Sequence, residues 1–291
     1  MQCAGESRDM MHRSTWMAWL GMLLCGMALT AESAGSASES PKWPEAKTDV
    51  WRGFTRYRFP VAGGMAWVVE PKKAAPGQPW TWCMEFPDAF TERTGVPTLL
   101  EKGFHHVHLE VGNTFGCPKA LQQFDALYAV LQQGGLAAKG TLIGISRGGL
   151  YAYNWAAQHP ERVACIYGDA PVCDFKSWPG GKGRGKGSPS DWTQLQQLYG
   201  FRDETEALGY ASNPVDRLLP LAKAKVALIH VVGDDDDVVP VSENTELVER
   251  RYQSLGGRIQ VLHKPGVGHH PHGLDDPTPV VEFILKASRA R

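Results

Sequence analysis

The chain has 291 residues, of which 43% are hydrophobic and 21% are charged, as in ordinary folded globular proteins. Its 30 Lys and Arg residues nearly balance its 31 Asp and Glu residues, so the formal net charge is -1. This balance argues against a nucleic-acid-binding protein, because such proteins carry a basic excess. After the first forty residues, no apolar run approaches the roughly 20 residues that a membrane-spanning helix requires.

The N-terminus has the pattern of a secretory signal peptide. Arg8 and Arg13 precede an apolar stretch from Trp16 to Leu29, and small and polar residues follow it. We therefore predict a signal peptide over residues 1–34 and a secreted or periplasmic protein without a membrane span once processed. An uncleaved N-terminal anchor is the alternative.

A Ser- and Pro-containing linker is expected over residues 35–50, and a single domain over residues 51–291. In that domain short apolar runs alternate with amphipathic segments, which predicts a mostly parallel sheet with helices on both faces. The predicted strands cover residues 65–69, 80–86, 106–111, 141–146, 163–167, 226–232 and 259–263, and the predicted helices cover residues 119–133, 148–158, 243–255 and 279–288.

A G-x-S-x-G segment, Gly144-Ile145-Ser146-Arg147-Gly148, lies between a predicted strand and a predicted helix. This context matters because a sharp strand-to-helix turn exposes a serine hydroxyl, and the helix N-terminus then directs backbone N–H groups at a developing oxyanion. Glycines flanking the serine leave room for such a turn. The segment predicts Ser146 as a nucleophile.

A serine nucleophile needs a histidine to take its proton and a carboxylate to orient that histidine. The strand over residues 226–232 is followed by four aspartates at positions 234–237, and the last strand is followed by His269, His270 and His272. The chain order Ser, Asp, His is that of α/β-hydrolases.

These segments resemble those of the α/β-hydrolase superfamily. The forms G-D-x-D-x-x-V-P and G-x-G-H are similar to those of secreted bacterial-type serine esterases and prolyl-oligopeptidase-like members. The resemblance implies an α/β-hydrolase fold, with residues 51–291 as the catalytic domain, a lid insertion after the sixth strand, and no cofactor.

Matching the same forms makes Asp236 the acid and His269 the base. Asp169 and Asp174, after the preceding strand, are rival acids, and His270 is a rival base. A calcium site in the acidic run is a further alternative. A catalytic zinc site at the histidines is disfavoured, because their spacing is not that of known catalytic zinc ligands, so no metal is expected.

The oxyanion hole requires two donors. The first is the backbone N–H of Arg147, directly after the nucleophile. The second should come from the loop after the strand over residues 80–86. Because Pro87 has no N–H, Asp88 is the expected donor.

The segment from Pro171 to Trp192 is rich in Gly, Pro and Lys and follows a predicted strand, a position at which insertions form lids. We expect Trp178, Lys182 and Arg184 to lie at the pocket mouth and to bind an anionic or carbohydrate-bearing substrate. A solvated loop without a role in binding is the alternative. The Gly-Lys-rich sequence is only a near match to a phosphate-binding loop.

The favoured function is a secreted serine hydrolase that cleaves carboxylic esters, with carbohydrate esters among the candidates. A serine peptidase of the prolyl-oligopeptidase kind is the alternative within enzymes, disfavoured because no propeller domain is evident. A non-catalytic α/β-hydrolase-fold binding protein ranks last, because all three residue types of the mechanism are present. The expected partner is a small-molecule or carbohydrate ester and not a nucleic acid.

Overall fold

The computed structural model describes residue 43 and residues 45–289, so the predicted signal peptide lies outside the described residues. The strands are β1 (Lys47–Trp51), β2 (Phe54–Val61), β3 (Gly64–Val69), β4 (Trp80–Cys83), β5 (His105–Glu110), β6 (Gly140–Ile145), β7 (Val163–Asp169), β8 (Ala227–Gly233) and β9 (Ile259–Lys264). They form one sheet in the order β1-β2-β3-β5-β4-β6-β7-β8-β9. From β5 to β9 the neighbouring strands are parallel, and β1, β2, β3 and β5 pair antiparallel.

Helices cover both faces of this sheet, as predicted. The helices are α1 (Thr91–Thr94), α2 (Val96–Glu101), α3 (Pro118–Gln133), α4 (Gly148–Gln158), α5 (Pro189–Tyr199), α6 (Glu204–Gly209), α7 (Leu219–Lys223), α8 (Thr245–Ser254) and α9 (Thr278–Arg289). In β6, Leu142 joins the apolar cluster under α3 and α4, whereas Ile143 and Ile145 join the cluster under α2 and α9. Burial of alternate residues on opposite faces explains why the parallel strands are almost entirely apolar.

The N-terminal edge of the sheet differs from the prediction. Strand β1 begins at Lys47, inside the stretch assigned to the linker, and β2 was also not predicted. Tight turns at Arg52-Gly53 and Ala62-Gly63 join β1 to β2 and β2 to β3, and all four turn residues have positive φ. Two-residue turns of this kind match the twist of a hairpin. The segment from Pro171 to Trp192, which was expected to form a lid after the sixth strand, follows β7, the seventh strand.

The four cysteines of the described residues are buried free thiols: Cys83, Cys117, Cys165 and Cys173. Burial raises the pKa of Cys83 and of Cys165 to about 12.

Of the helices in the described part of the chain, none has the length and apolar character needed to span a membrane.

Helix α4 packs unusually close to the chain that leaves β7. A Cβ atom built on Gly149, its second residue, would lie 2.6 Å from the carbonyl oxygen of Val172 and 2.8 Å from Cβ of Pro171. Rotation of the Val172 side chain cannot relieve the first contact, because the atom in contact is a backbone oxygen. The start of α4 is therefore fixed against β7 by the absence of a side chain at one position.

We predict that Gly149→Ala destabilises the protein by about 1–3 kcal/mol, the usual result of overpacking. Gly209, the last residue of α6, is the matched control, because nothing lies within 4 Å of its built Cβ atom. Urea unfolding of both variants would measure the effect. Equal unfolding midpoints for Gly149→Ala and Gly209→Ala would contradict the packing argument.

Candidate active site

Ser146 lies in the turn between β6 and α4 and adopts a φ of 50°, a left-handed conformation that costs a residue with a side chain about 1–3 kcal/mol. Backbone hydrogen bonds hold this conformation. The Ser146 N–H donates to the carbonyl of Asp169 at 2.8 Å, and its own carbonyl accepts from the N–H groups of Val172 at 2.8 Å and Gly149 at 3.0 Å. The strained turn is thus fixed by the adjacent strand and by its own helix.

Three predicted side chains form one hydrogen-bonded chain. The hydroxyl oxygen of Ser146 lies 2.9 Å from Nε2 of His269, and Nδ1 of His269 lies 2.7 Å from Oδ2 of Asp236. The other carboxylate oxygen of Asp236 accepts the N–H groups of Val238 at 2.9 Å and Val239 at 2.8 Å. The acid is therefore held in place independently of the histidine.

The structure distinguishes Asp236 from the other three aspartates of the run. Asp236 is 7% exposed, whereas its three neighbours are exposed to solvent. Asp234 contacts the ring of His263 at 2.6 Å, and Asp237 pairs with Lys186 at 2.5 Å.

The carboxylates of the two rival acids are bonded elsewhere, and it is Asp236 that contacts the His269 ring. The carboxylate of Asp174 accepts the backbone N–H of Lys176. Asp169 is fully buried and contacts Nδ1 of His272 at 2.8 Å, and it also accepts the N–H of Gly273 at 2.8 Å and the hydroxyl of Tyr167. Asp169 thus braces the loop that carries His269, a role the sequence analysis did not anticipate.

His270, the rival base, is exposed and does not contact Ser146. Its ring stacks on Phe90 with centroids 5.9 Å apart. Partial burial and the neighbouring His272 and His269 rings lower its pKa. The geometry therefore selects His269 as the partner of the serine.

Asp236→Asn should reduce turnover by about 10³–10⁴-fold, because an amide cannot hold the imidazole in the required tautomer or stabilise its charged form. Asp235→Asn is the matched control within the same acidic run and should keep turnover within about twofold. Steady-state kinetics on an ester substrate of the wild type would measure both. A similar loss in the two variants would mean that the charge of the run matters rather than the one buried carboxylate.

The two adjacent histidines allow an equally direct comparison. His269→Ala should abolish turnover above background, since among the described residues no other imidazole is hydrogen-bonded to the Ser146 hydroxyl, whereas His270→Ala should retain it. Activity of the wild type should fall on the acid side, because a protonated imidazole cannot accept the serine proton. Retained turnover in His269→Ala with loss in His270→Ala would reverse the assignment.

The chain after β4 passes directly against the turn that carries Ser146. A Cβ built on Gly148 would lie 3.2 Å from Cβ of Glu85, and the guanidinium of Arg147 pairs with Glu85 at 3.2 Å. The same guanidinium lies 4.9 Å from the ring centroid of Phe86. Burial raises the pKa of Glu85, and the charge of Arg147 opposes that rise. The sequence analysis missed Glu85 and Phe86 because it placed both inside the strand over residues 80–86, whereas β4 ends at Cys83.

Asp88, the predicted second oxyanion donor, is placed further along this loop. Its carboxylate accepts the indole N–H of Trp51 at 2.7 Å. Among the described residues, no backbone hydrogen bond uses the N–H of Arg147 or that of Phe86.

A cavity of about 470 Å³ adjoins Arg147 on the side of the antiparallel strands. Most of its charged side chains come from β2, β5 and the chain after β4. Residues that line it are Arg56, Arg58, Met65, Trp67, Glu85, Phe86, Pro87, Asp88, His108, Leu109, Glu110, Val111, Gly112, Asn113 and Arg147. One of these residues, His108, is the fourth residue of β5.

The structure separates the three predicted substrate-binding residues of the lid. Trp178 packs toward the site, with its ring 6.2 Å from that of Phe115, which lies 6.0 Å from the guanidinium of Arg147. Lys182 instead pairs with Glu204 at 2.5 Å, and the backbone N–H of Arg184 donates to Glu243. None of Trp178, Lys182 and Arg184 lines the cavity beside Arg147.

The fold and the site together define a serine hydrolase of the α/β-hydrolase class. Residues 116–287, more than half of the chain, match the prolyl oligopeptidase family. The chain belongs to this family. No curated protein matched the chain in a sequence search.

Solved structures share the fold at low sequence identity. Dipeptidyl peptidase 4 from Porphyromonas gingivalis matches with a TM-score of 0.60 and 16% identity, over 84% of this chain and 36% of its own. Est1E from Butyrivibrio proteoclasticus matches with a TM-score of 0.56 and 17% identity, over 84% of this chain and 98% of its own. An S-formylglutathione hydrolase from Agrobacterium tumefaciens matches with a TM-score of 0.56 and 16% identity, over 84% and 99%. The chain thus spans about a third of the peptidase and nearly all of the other two.

Proposed function

We propose that the protein hydrolyses carboxylic esters through an acyl-enzyme on Ser146, with His269 as general base and acid and Asp236 as the residue that orients it. The observation that carries this proposal is the continuous hydrogen-bonded chain from the serine hydroxyl through the imidazole to the buried carboxylate. The serine is presented on a strained turn, as nucleophiles of this class are.

The reaction follows from these contacts. As the Ser146 oxygen attacks the ester carbonyl carbon, Nε2 of His269 takes the hydroxyl proton and the carbonyl oxygen becomes an oxyanion. The protonated imidazole, stabilised by Asp236, then gives this proton to the departing alcohol, which leaves an acyl-serine. Water, activated by the same imidazole, attacks the acyl carbon and releases the acid, and the proton returns to the serine.

The oxyanion requires N–H donors close to the nucleophile. The N–H of Arg147 at the start of α4 is the first. We assign the second to the N–H of Phe86 rather than to that of Asp88, because Cβ of Glu85 and the ring of Phe86 lie against Gly148 and Arg147, next to the nucleophile. The ion pair between Arg147 and Glu85 ties these two donor segments together.

One observation favours an ester over a peptide substrate. The cavity beside Arg147 is small and lined by charged side chains, including Arg56, Arg58 and Glu110. A lining of this kind suits a compact polar group, such as a sugar, better than a long acyl chain or an extended peptide.

We also propose that the protein is exported from the cytoplasm. The N-terminal pattern of Arg8, Arg13 and the apolar stretch that follows supports a secreted or periplasmic location. A polar ester met outside the cytoplasm, such as an acylated carbohydrate, is the substrate class that fits both this pattern and the cavity.

A fluorophosphonate probe should label Ser146 and no other serine, because among the described serines only that hydroxyl is paired with a histidine that contacts a carboxylate. The wild type should hydrolyse a short-chain aryl ester, and Ser146→Ala should lose both labelling and turnover. Ser254→Ala is the matched control, since this exposed hydroxyl contacts only the carbonyl of Arg251. Mass spectrometry of the labelled peptide would locate the probe.

Substrate class is decided by parallel assays with the aryl ester, a prolyl-amide and a panel of acetylated, methylated and feruloylated sugars. We expect turnover of the aryl ester and of at least one sugar ester. Faster cleavage of the prolyl-amide would support the peptidase alternative. Absence of both labelling and turnover in the wild type would support the non-catalytic alternative.

A further inference from the structure

The loop that carries the base brings three imidazole rings together. The ring centroids lie 5.0 Å apart for His269 and His270, 4.9 Å apart for His269 and His272, and 4.8 Å apart for His270 and His272. One ring nitrogen from each lies within 4.8 Å of those of the other two. The sequence spacing did not predict this cluster, because the loop folds back on itself around Asp169.

Two of the rings are already oriented as metal ligands are. Nδ1 of His269 contacts Asp236 at 2.7 Å, and Nδ1 of His272 contacts Asp169 at 2.8 Å. Metal-binding histidines usually donate one ring N–H to a carboxylate in this way, which leaves the other nitrogen basic and directed at the metal. Two buried carboxylates behind the rings also supply negative charge to offset a divalent cation.

The third ring is free to complete the set. His270 is exposed, and among the described residues no hydrogen bond engages its side chain. Three imidazoles on one tetrahedral zinc ion have ring centres about 5 Å apart and nitrogens about 3.4 Å apart. The centroid spacing already fits this arrangement, and nitrogen separations of up to 4.8 Å must shorten by up to about 1.4 Å when an ion binds.

The backbone beneath the rings is held firmly. Nζ of Lys264 donates to the carbonyl of Pro271 at 2.6 Å, and Nε of Arg93 donates to the carbonyl of His272 at 2.7 Å. A ligand set on a braced loop loses little conformational freedom when a metal binds, which favours binding.

We propose that His269, His270 and His272 bind a divalent transition-metal cation, with zinc as the representative ion, and that this binding inhibits the enzyme. The inhibition rests on the proposed function, because His269 is then needed as a base. Its Nε2 lone pair lies 2.9 Å from the serine hydroxyl and accepts that proton during attack. The same lone pair cannot bind a metal and accept a proton, so the ion and the acyl-transfer reaction exclude each other.

The binding test uses zinc chloride and isothermal titration calorimetry on the full chain. Ser146→Ala is titrated beside the wild type, since it keeps all three histidines but has no nucleophile. We expect one zinc ion per chain in both. His270→Ala and His270→Asn should each weaken binding by at least about tenfold. His263→Ala, which removes an exposed histidine outside the cluster, should leave it unchanged.

The activity test measures aryl-ester turnover and fluorophosphonate labelling against zinc concentration. Zinc should suppress both in the wild type and in His263→Ala, and a chelator should restore them. Both His270 variants should turn over normally without zinc and should require at least about tenfold more zinc for half inhibition. Equal inhibition of the wild type and His270→Ala would overturn the proposal.

Two further outcomes would also overturn it. If a chelator abolished turnover and zinc restored it, the ion would be catalytic and not inhibitory. If calorimetry detected no zinc binding to Ser146→Ala, the ligand set would be wrong. If calorimetry detected the site but the wild type had no ester turnover, the failure would lie with the proposed function, because the binding measurement does not depend on activity.

Discussion

Asp169, at the end of β7, connects the two halves of the site. Its main-chain carbonyl accepts the N–H of Ser146, and its carboxylate contacts Nδ1 of His272 and the N–H of Gly273. The serine turn and the histidine loop are therefore attached to the same buried residue. Loss of this carboxylate would leave a buried imidazole without its partner, which is costly in an environment that excludes water.

Much of the site could be predicted from the sequence because its chemistry is local to strand ends. Ser146 follows β6, Asp236 follows β8 and His269 follows β9, so a strand prediction plus three short motifs located them. The edge strands β1 and β2 could not be predicted in this way. Six of their thirteen residues are exposed and several are charged, and the two strands are held mainly by tight turns and by pairing with β3.

The remaining errors share a physical cause, since they depend on partners distant in the sequence. Lys182 and Lys186 look like free charges in a glycine-rich loop, but Glu204 and Asp237 neutralise them. The histidine cluster was judged by spacing alone, whereas the fold of the loop decides which nitrogens converge. The second oxyanion donor depends on the path of the main chain after β4, which no side-chain pattern encodes.

The contact between the Gly- and Lys-rich segment after β7 and the loop of Asp236 limits how this protein can be re-engineered. The N–H of Lys186 donates to the carbonyl of Asp237, and a Cβ atom at Gly185 would lie 2.9 Å from the ring of Pro240. This segment is thus packed on the residues that position Asp236. Exchanging it for the corresponding segment of a relative would therefore disturb Asp236 as well. Substitutions in the cavity lined by β2 and β5 avoid this contact.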